Sequence, residues 1–207
     1  MARESFLRSF RDGWRRLADG PSRPLLQLLA VDTIRGVWIN APPLLITLLA
    51  NAAFPQPALS YGVLFVAYVV GEVTADLSLG RWNPRHRVGG ILLGSLFATA
   101  VAVGIAVVLP PFLLASAVAW FAVGLLVEAY YDAKYAYLRG AVAPEALGRV
   151  TANLYLFPGI ASAAGALGIS ALAGAVAPIV LGAFVAAGFV VSGILGALLP
   201  GYRRLRY

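Results

Sequence analysis

Residues 112–138 read FLLASAVAWFAVGLLVEAYYDAKYAYL. From Phe112 to Val127 this stretch is uncharged. Glu128, Asp132 and Lys134 then follow, set among Tyr130, Tyr131, Tyr135 and Tyr137. About 20 apolar residues cross the roughly 30 Å of bilayer hydrocarbon as a helix. An apolar entry with ionisable groups gathered at one end predicts a membrane span that keeps its polar chemistry near one face. Five more long apolar runs surround it, at 24–50, 58–79, 89–109, 151–175 and 177–199, and the loops between them are too short for a soluble domain. The predicted fold class is an all-α membrane protein: a lead-in over 1–20, a transmembrane domain over 21–200 with six transmembrane helices, and a basic tail over 201–207.

Composition agrees. Hydrophobic residues make up 60% of the 207, and charged residues 12%. A soluble domain of this size could not hide so much apolar surface. With no cysteine and the single His86, the chain offers no disulfide, thiolate centre or histidine metal cluster. No cofactor or metal is expected. No nucleophile–base pair or phosphate loop can be assembled either, so the chain does not read as an enzyme. The 1–20 segment is basic and polar, unlike a cleaved signal peptide. Phe6, Phe10, Trp14 and Leu17 fall there at helical spacing among arginines, predicting an amphipathic helix in the headgroup region.

The net charge of +7 could suggest nucleic acid, but its distribution points to a membrane. Arginines cluster before the first run, between runs two and three (Arg81, Arg85, Arg87), between four and five (Arg139, Arg149) and after the sixth (Arg203, Arg204, Arg206). The alternate loops hold no Lys or Arg. By the positive-inside rule both termini lie in the cytoplasm of a multi-pass protein of the cell membrane. The bilayer, with its anionic lipids, is the partner these arginines imply, and nucleic acid is not.

Ionisable residues inside spans are costly and mark a cavity or one another. Asp32 stands roughly 12 Å into the first span at about 1.5 Å per residue. Arg35, three residues on, can pair with it. Asn40 follows, before Pro42-Pro43, which should kink or interrupt the helix. Glu72 and Asp76 share a face of span two, and Glu128 and Asp132 share one of span four, while Lys134 points elsewhere and should seek a partner on another helix. Asp32, Arg35, Asn40, Glu128, Asp132 and Lys134 are the candidate solute or proton pathway. Glu72, Asp76, Arg81 and Arg139 are a candidate cytoplasmic gate. A structural staple and an ion relay both fit these groups, and the tyrosines fit an interfacial belt better than a substrate cage. Small-residue rows predict close helix packing: Gly90 and Gly94 in span three, Gly159, Gly165 and Gly168 in span five, Gly188, Ser192 and Gly196 in span six.

Four segments resemble one six-helix half of a major facilitator superfamily transporter, closest to the C-terminal half of a drug-exporter-like member. Val142–Arg149 (VAPEALGR) resembles the segment before the fifth helix. Ala161–Gly168 resembles that helix's antiporter motif, with Ala161 and Ala166 replacing its first Gly and its Pro. Asp76–Arg87 (DLSLGRWNPRHR) resembles the loop signature between helices two and three, with Gly80 one place late and Leu77 in a basic position. The basic lead-in with Asp12-Gly13-Trp14 resembles the central linker. The resemblance implies two three-helix repeats, spans one and four lining a cavity, and spans three and six facing lipid.

It further implies that a second copy, as a parallel homodimer, or a complementary half completes the cavity and shields its charges from lipid. Two halves would then move a small solute, a lipophilic one by the exporter-like motifs, by alternating access in antiport with protons. Asp32 or Asp132 would be the coupling carboxylate, and the small-residue faces of spans two and five would slide. The competing expectation is a non-transporting assembly or lipid-interacting protein that retains the half-transporter fold.

Overall fold

Proline marks where helices begin. Its missing N–H is an orphan in any first turn, so it starts a helix at no cost, whereas inside a helix it removes a hydrogen bond, as Pro158 does in the sixth. Four helices open on proline, and Pro42-Pro43 breaks another. The computed structural model describes residues 23–79, 88–110 and 112–206. The expected amphipathic lead-in, Arg81 and His86 lie outside the described residues.

Every described element is a helix: α1 Arg23–Ile39, α2 Ala41–Ala53, α3 Pro57–Leu79, α4 Val88–Val108, α5 Leu113–Ala141, α6 Pro144–Ala173, α7 Pro178–Leu198 and the single turn α8 Pro200–Arg203. The break at Asn40 is the interruption expected from Pro42-Pro43, and α1 with α2 forms one span over Arg23–Ala53. Six helical spans are long and apolar enough to cross a membrane. The chain is a multi-pass helical membrane protein.

The packing order has an internal symmetry. α3 lies along α5, and α6 lies along α1. α4 packs on α5, α7 packs on α1, and α4 and α7 pack on each other. Exchanging the first three spans for the last three leaves this pattern unchanged. The glycines repeat it. A side chain on Gly71 of α3 would strike the Phe121 carbonyl, and one on Gly124 of α5 the Tyr68 carbonyl. At the matching crossing, one on Gly36 of α1 would strike Pro158, and one on Gly165 of α6 the Val37 carbonyl. Each flank therefore seats backbone against backbone through one glycine from each helix.

Other glycine rows fare differently. Gly188 carries the Trp38 indole and Gly196 the Tyr202 ring, so the span-six row packs as expected. Gly90 and Gly94 face open space, as do Gly159 and Gly168. In those positions the spacing does not mark a helix contact within the chain. Span three is also half buried, 50% of its apolar window, whereas α6 buries 11%. Within one chain α4 is a core helix, and α6 is the helix left most uncovered.

Candidate functional site

α1 and α5 do not pack along one another; side chains bridge the gap between them. Lys134 Nζ donates to Asp32 Oδ2 at 2.7 Å, and Arg35 Nη1 reaches Asp32 Oδ1 at 3.4 Å. Charge-assisted N–H···O bonds run about 2.7–2.9 Å. The Lys134 link is therefore a full charged bond and the Arg35 link a loose one. Arg35 Nη2 donates to the Val127 carbonyl, also at 3.4 Å. Asp32, Arg35 and Lys134 are 3%, 2% and 1% exposed.

Tyrosine rings enclose both cations. The Arg35 guanidinium carbon stands 4.1 Å from the Tyr130 ring centre and 4.3 Å from that of Tyr131. Lys134 Nζ lies 4.7 Å from the Tyr155 ring centre and 5.0 Å from that of Tyr131, with Tyr135 at 5.7 Å. Cation–π contacts gain strength once desolvated. The tyrosines at the end of span four are thus a cage around the chain's own charges, which corrects the interfacial-belt reading for Tyr130 and Tyr131.

A cavity of about 160 Å³ opens beside the triad between α1, α5 and α6. Asp32, Arg35 and Lys134 form its charged wall; Tyr131, Tyr155 and Pro158 close one side. Asn40 and Ser162 stand at its rim, the Asn40 amide donating to the Ser162 hydroxyl at 2.5 Å. The Tyr155 hydroxyl is buried without a hydrogen-bond partner among the described residues. Sequence reading missed Tyr155, Ser162 and Pro158. Tyr155, Gly159 and Ser162 recur at helical spacing on one face of α6, and that periodic polar face was the available signal.

The candidate pathway residues divide. Asp32, Arg35, Asn40 and Lys134 share the cavity, whereas Glu128 and Asp132 do not line it. Their carboxylates gather with Asp76 of α3, all three within 4.8 Å of one another. Asp132 Oδ2 has no hydrogen-bond partner among the described residues. In the proposed gate, Glu72 is half-buried and Asp76 and Arg139 are exposed; no ion pair joins these three among the described residues. Of the packing candidates, Gly165 seats α6 on α1, Gly159 borders the cavity and Gly168 faces outward.

The expectation that a second subunit must shield the deep charges is corrected for the triad. Asp32 is neutralised and covered by side chains of its own chain. Toward the arginine-free end of the bundle, two grooves of about 710 Å³ and 560 Å³ run along α3/α5 and α4/α5. Their walls are aliphatic apart from Phe121, as a lipid-covered surface requires.

The chain end closes over the site from the arginine-bearing side. Tyr202 is fully buried, its hydroxyl 3.3 Å from that of Tyr130, and its backbone N–H donates to Gln27 Oε1 at 2.9 Å. The Gly89 N–H donates to the Leu205 carbonyl at 3.2 Å. Burial pushes the Tyr202 phenol above its ordinary value. Comparison with protein-family models, curated proteins and solved structures finds no match to this chain.

Proposed function

We propose that the chain is one half of a secondary active transporter, pairing most simply with a second copy as a parallel homodimer, and moving a small solute by alternating access. The observation that carries this reading is a charged triad sunk in apolar helices beside an open polar cavity. Such groups are rare inside membranes and mark solute or ion pathways. The repeat-like packing and the resemblance to a major facilitator half support it. So does α6, whose uncovered surface and open Gly159 and Gly168 leave room for another subunit beside the cavity. In this mechanism Asp32 is the coupling carboxylate. Protonating it releases Lys134 from its ion pair and lets α1 and α5 part. Both termini then lie in the cytoplasm.

A second reading, a non-transporting assembly or lipid-interacting protein, is favoured by one observation: the triad is neutralised and covered within one chain, as a static staple would be. Proteoliposome flux separates the two. A carrier gives proton-linked solute movement that Asp32→Asn abolishes. Absence of flux across a broad solute panel, together with a monomer in native membranes, supports the staple.

A further inference from the structure

We propose that the cavity between α1, α5 and α6 binds a single small oxyanion, a carboxylate or a phosphate. As a statement about substrate class this rests on the carrier reading above; as a binding site it stands on its own geometry.

Charge is the first argument. Arg35 and Lys134 bring two positive charges and Asp32 one negative, and all three are at least 97% covered. A net positive charge remains, in surroundings where an uncompensated charge is costly. Glu128 stands close enough to interact with both cations, but it clusters with Asp132 and Asp76, and among the described residues none of these three forms an ion pair with Arg35 or Lys134.

Donors are the second. A guanidinium carries five N–H donors. Arg35 uses two of its nitrogens, both at 3.4 Å, at the long edge of hydrogen bonding. The Tyr155 hydroxyl is unpartnered, and both residues face the cavity. Lys134 and the Asn40 amide add donors to the same wall. At about 160 Å³ the space suits a small oxyanion. A cationic solute fits poorly, because Lys134 already fills the tyrosine cage and a further cation would deepen the imbalance.

The test uses the purified full chain in phosphatidylcholine nanodiscs, titrated with acetate, benzoate and inorganic phosphate, with tetramethylammonium as the opposite charge. Calorimetry and thermal unfolding are the readouts. At least one anion binds saturably. Affinity falls roughly tenfold or more in Lys134→Gln, the scale of one lost charged hydrogen bond. It recovers in Lys134→Arg and rises in Asp32→Asn. Tyr155→Phe, which leaves the triad intact, weakens binding severalfold and serves where Lys134→Gln does not fold.

Nanodiscs containing phosphatidylglycerol distinguish the source. Loss of soluble-anion binding there identifies a lipid headgroup phosphate as occupant, and unchanged binding identifies a free anion. Binding of tetramethylammonium instead, anion binding indifferent to Lys134, Asp32 and Tyr155, or no response to any anion or anionic lipid overturns the proposal. Anion binding without flux would leave this site standing and sink the carrier. Flux without anion binding would do the reverse.

Discussion

Lys134 Nζ of α5 lies 2.7 Å from Asp32 Oδ2 of α1, across a gap that the two helices do not close by backbone packing. At the level of the cavity this is the shortest charged link between the first three spans and the last three. Its energetics follow from burial. Removing Asp32 leaves both Arg35 and Lys134 uncompensated inside apolar surroundings, which costs about 3–5 kcal/mol, whereas removing Lys134 leaves Asp32 balanced by Arg35 and costs less. Asp32→Asn lowers the melting temperature in detergent more than Lys134→Gln does, and adding Lys134→Gln to Asp32→Asn regains part of the loss. Additive losses in a double-mutant cycle would show that the two charges act independently.

The reciprocal glycines make a second prediction. Gly71→Ala and Gly124→Ala push α3 off α5, and overpacking of this kind costs about 1–3 kcal/mol. Gly90→Ala and Gly94→Ala meet open space and remove a helix-interior glycine, so they are neutral or stabilising by about 0.5–1 kcal/mol. Thermal melts of the four variants under one condition check the contrast. Equal effects would contradict the described crossings.

Tyr202 ties the chain end to Tyr130, whose ring stacks on Arg35. Tyr202→Phe removes the hydroxyl pair at a cost of about 0.5–1.5 kcal/mol. There is also a pH signature. The folded-state phenol is pushed up by burial, so above the ordinary tyrosine value of about 10 the unfolded chain gives up its proton first. The folded state then binds more protons than the unfolded one, and stability falls as pH rises. Unfolding measured from pH 8 to 11 should show a shallower alkaline decline in Tyr202→Phe than in the wild type.

The proposed pairing can be tested directly because the chain has no cysteine of its own. Val63 on α3 and Leu167 on α6 are 38% and 75% exposed. Each lies six residues from the arginine-free end of its helix. In a parallel two-fold dimer that seats α6 of one copy on α3 of the other, Val63→Cys with Leu167→Cys crosslinks to a species of twice the mass in native membranes. Mild oxidation followed by non-reducing gels reads the result. A monomer band alone would count against this interface.

Much of the architecture was legible in the chain itself, because lipid imposes rules that need no tertiary information. Apolar length set the six spans, Pro42-Pro43 set the break, and three-residue spacing set the Asp32–Arg35 pair. Lys134 announced a partner on another helix by pointing away from Asp132. Which helix it would choose depends on how α1 and α5 rotate against their neighbours, and periodicity within one span carries no such information. The same blindness explains the glycines. Gly71 and Gly124 sit in no repeating row, yet they seat two backbones together, while Gly90 and Gly94 have the spacing and face open space among the described residues.

Sequence alone therefore determined that this is a six-span membrane chain with charges gathered toward the arginine-rich side. Tertiary structure decided which charges meet. It drew Asp32, Arg35 and Lys134 into one covered triad and left Glu128 and Asp132 with Asp76 on the other side of α5. The reason is physical: crossing the bilayer is a requirement each helix meets through its own composition, whereas a charge is satisfied only by the neighbour that packing brings to it.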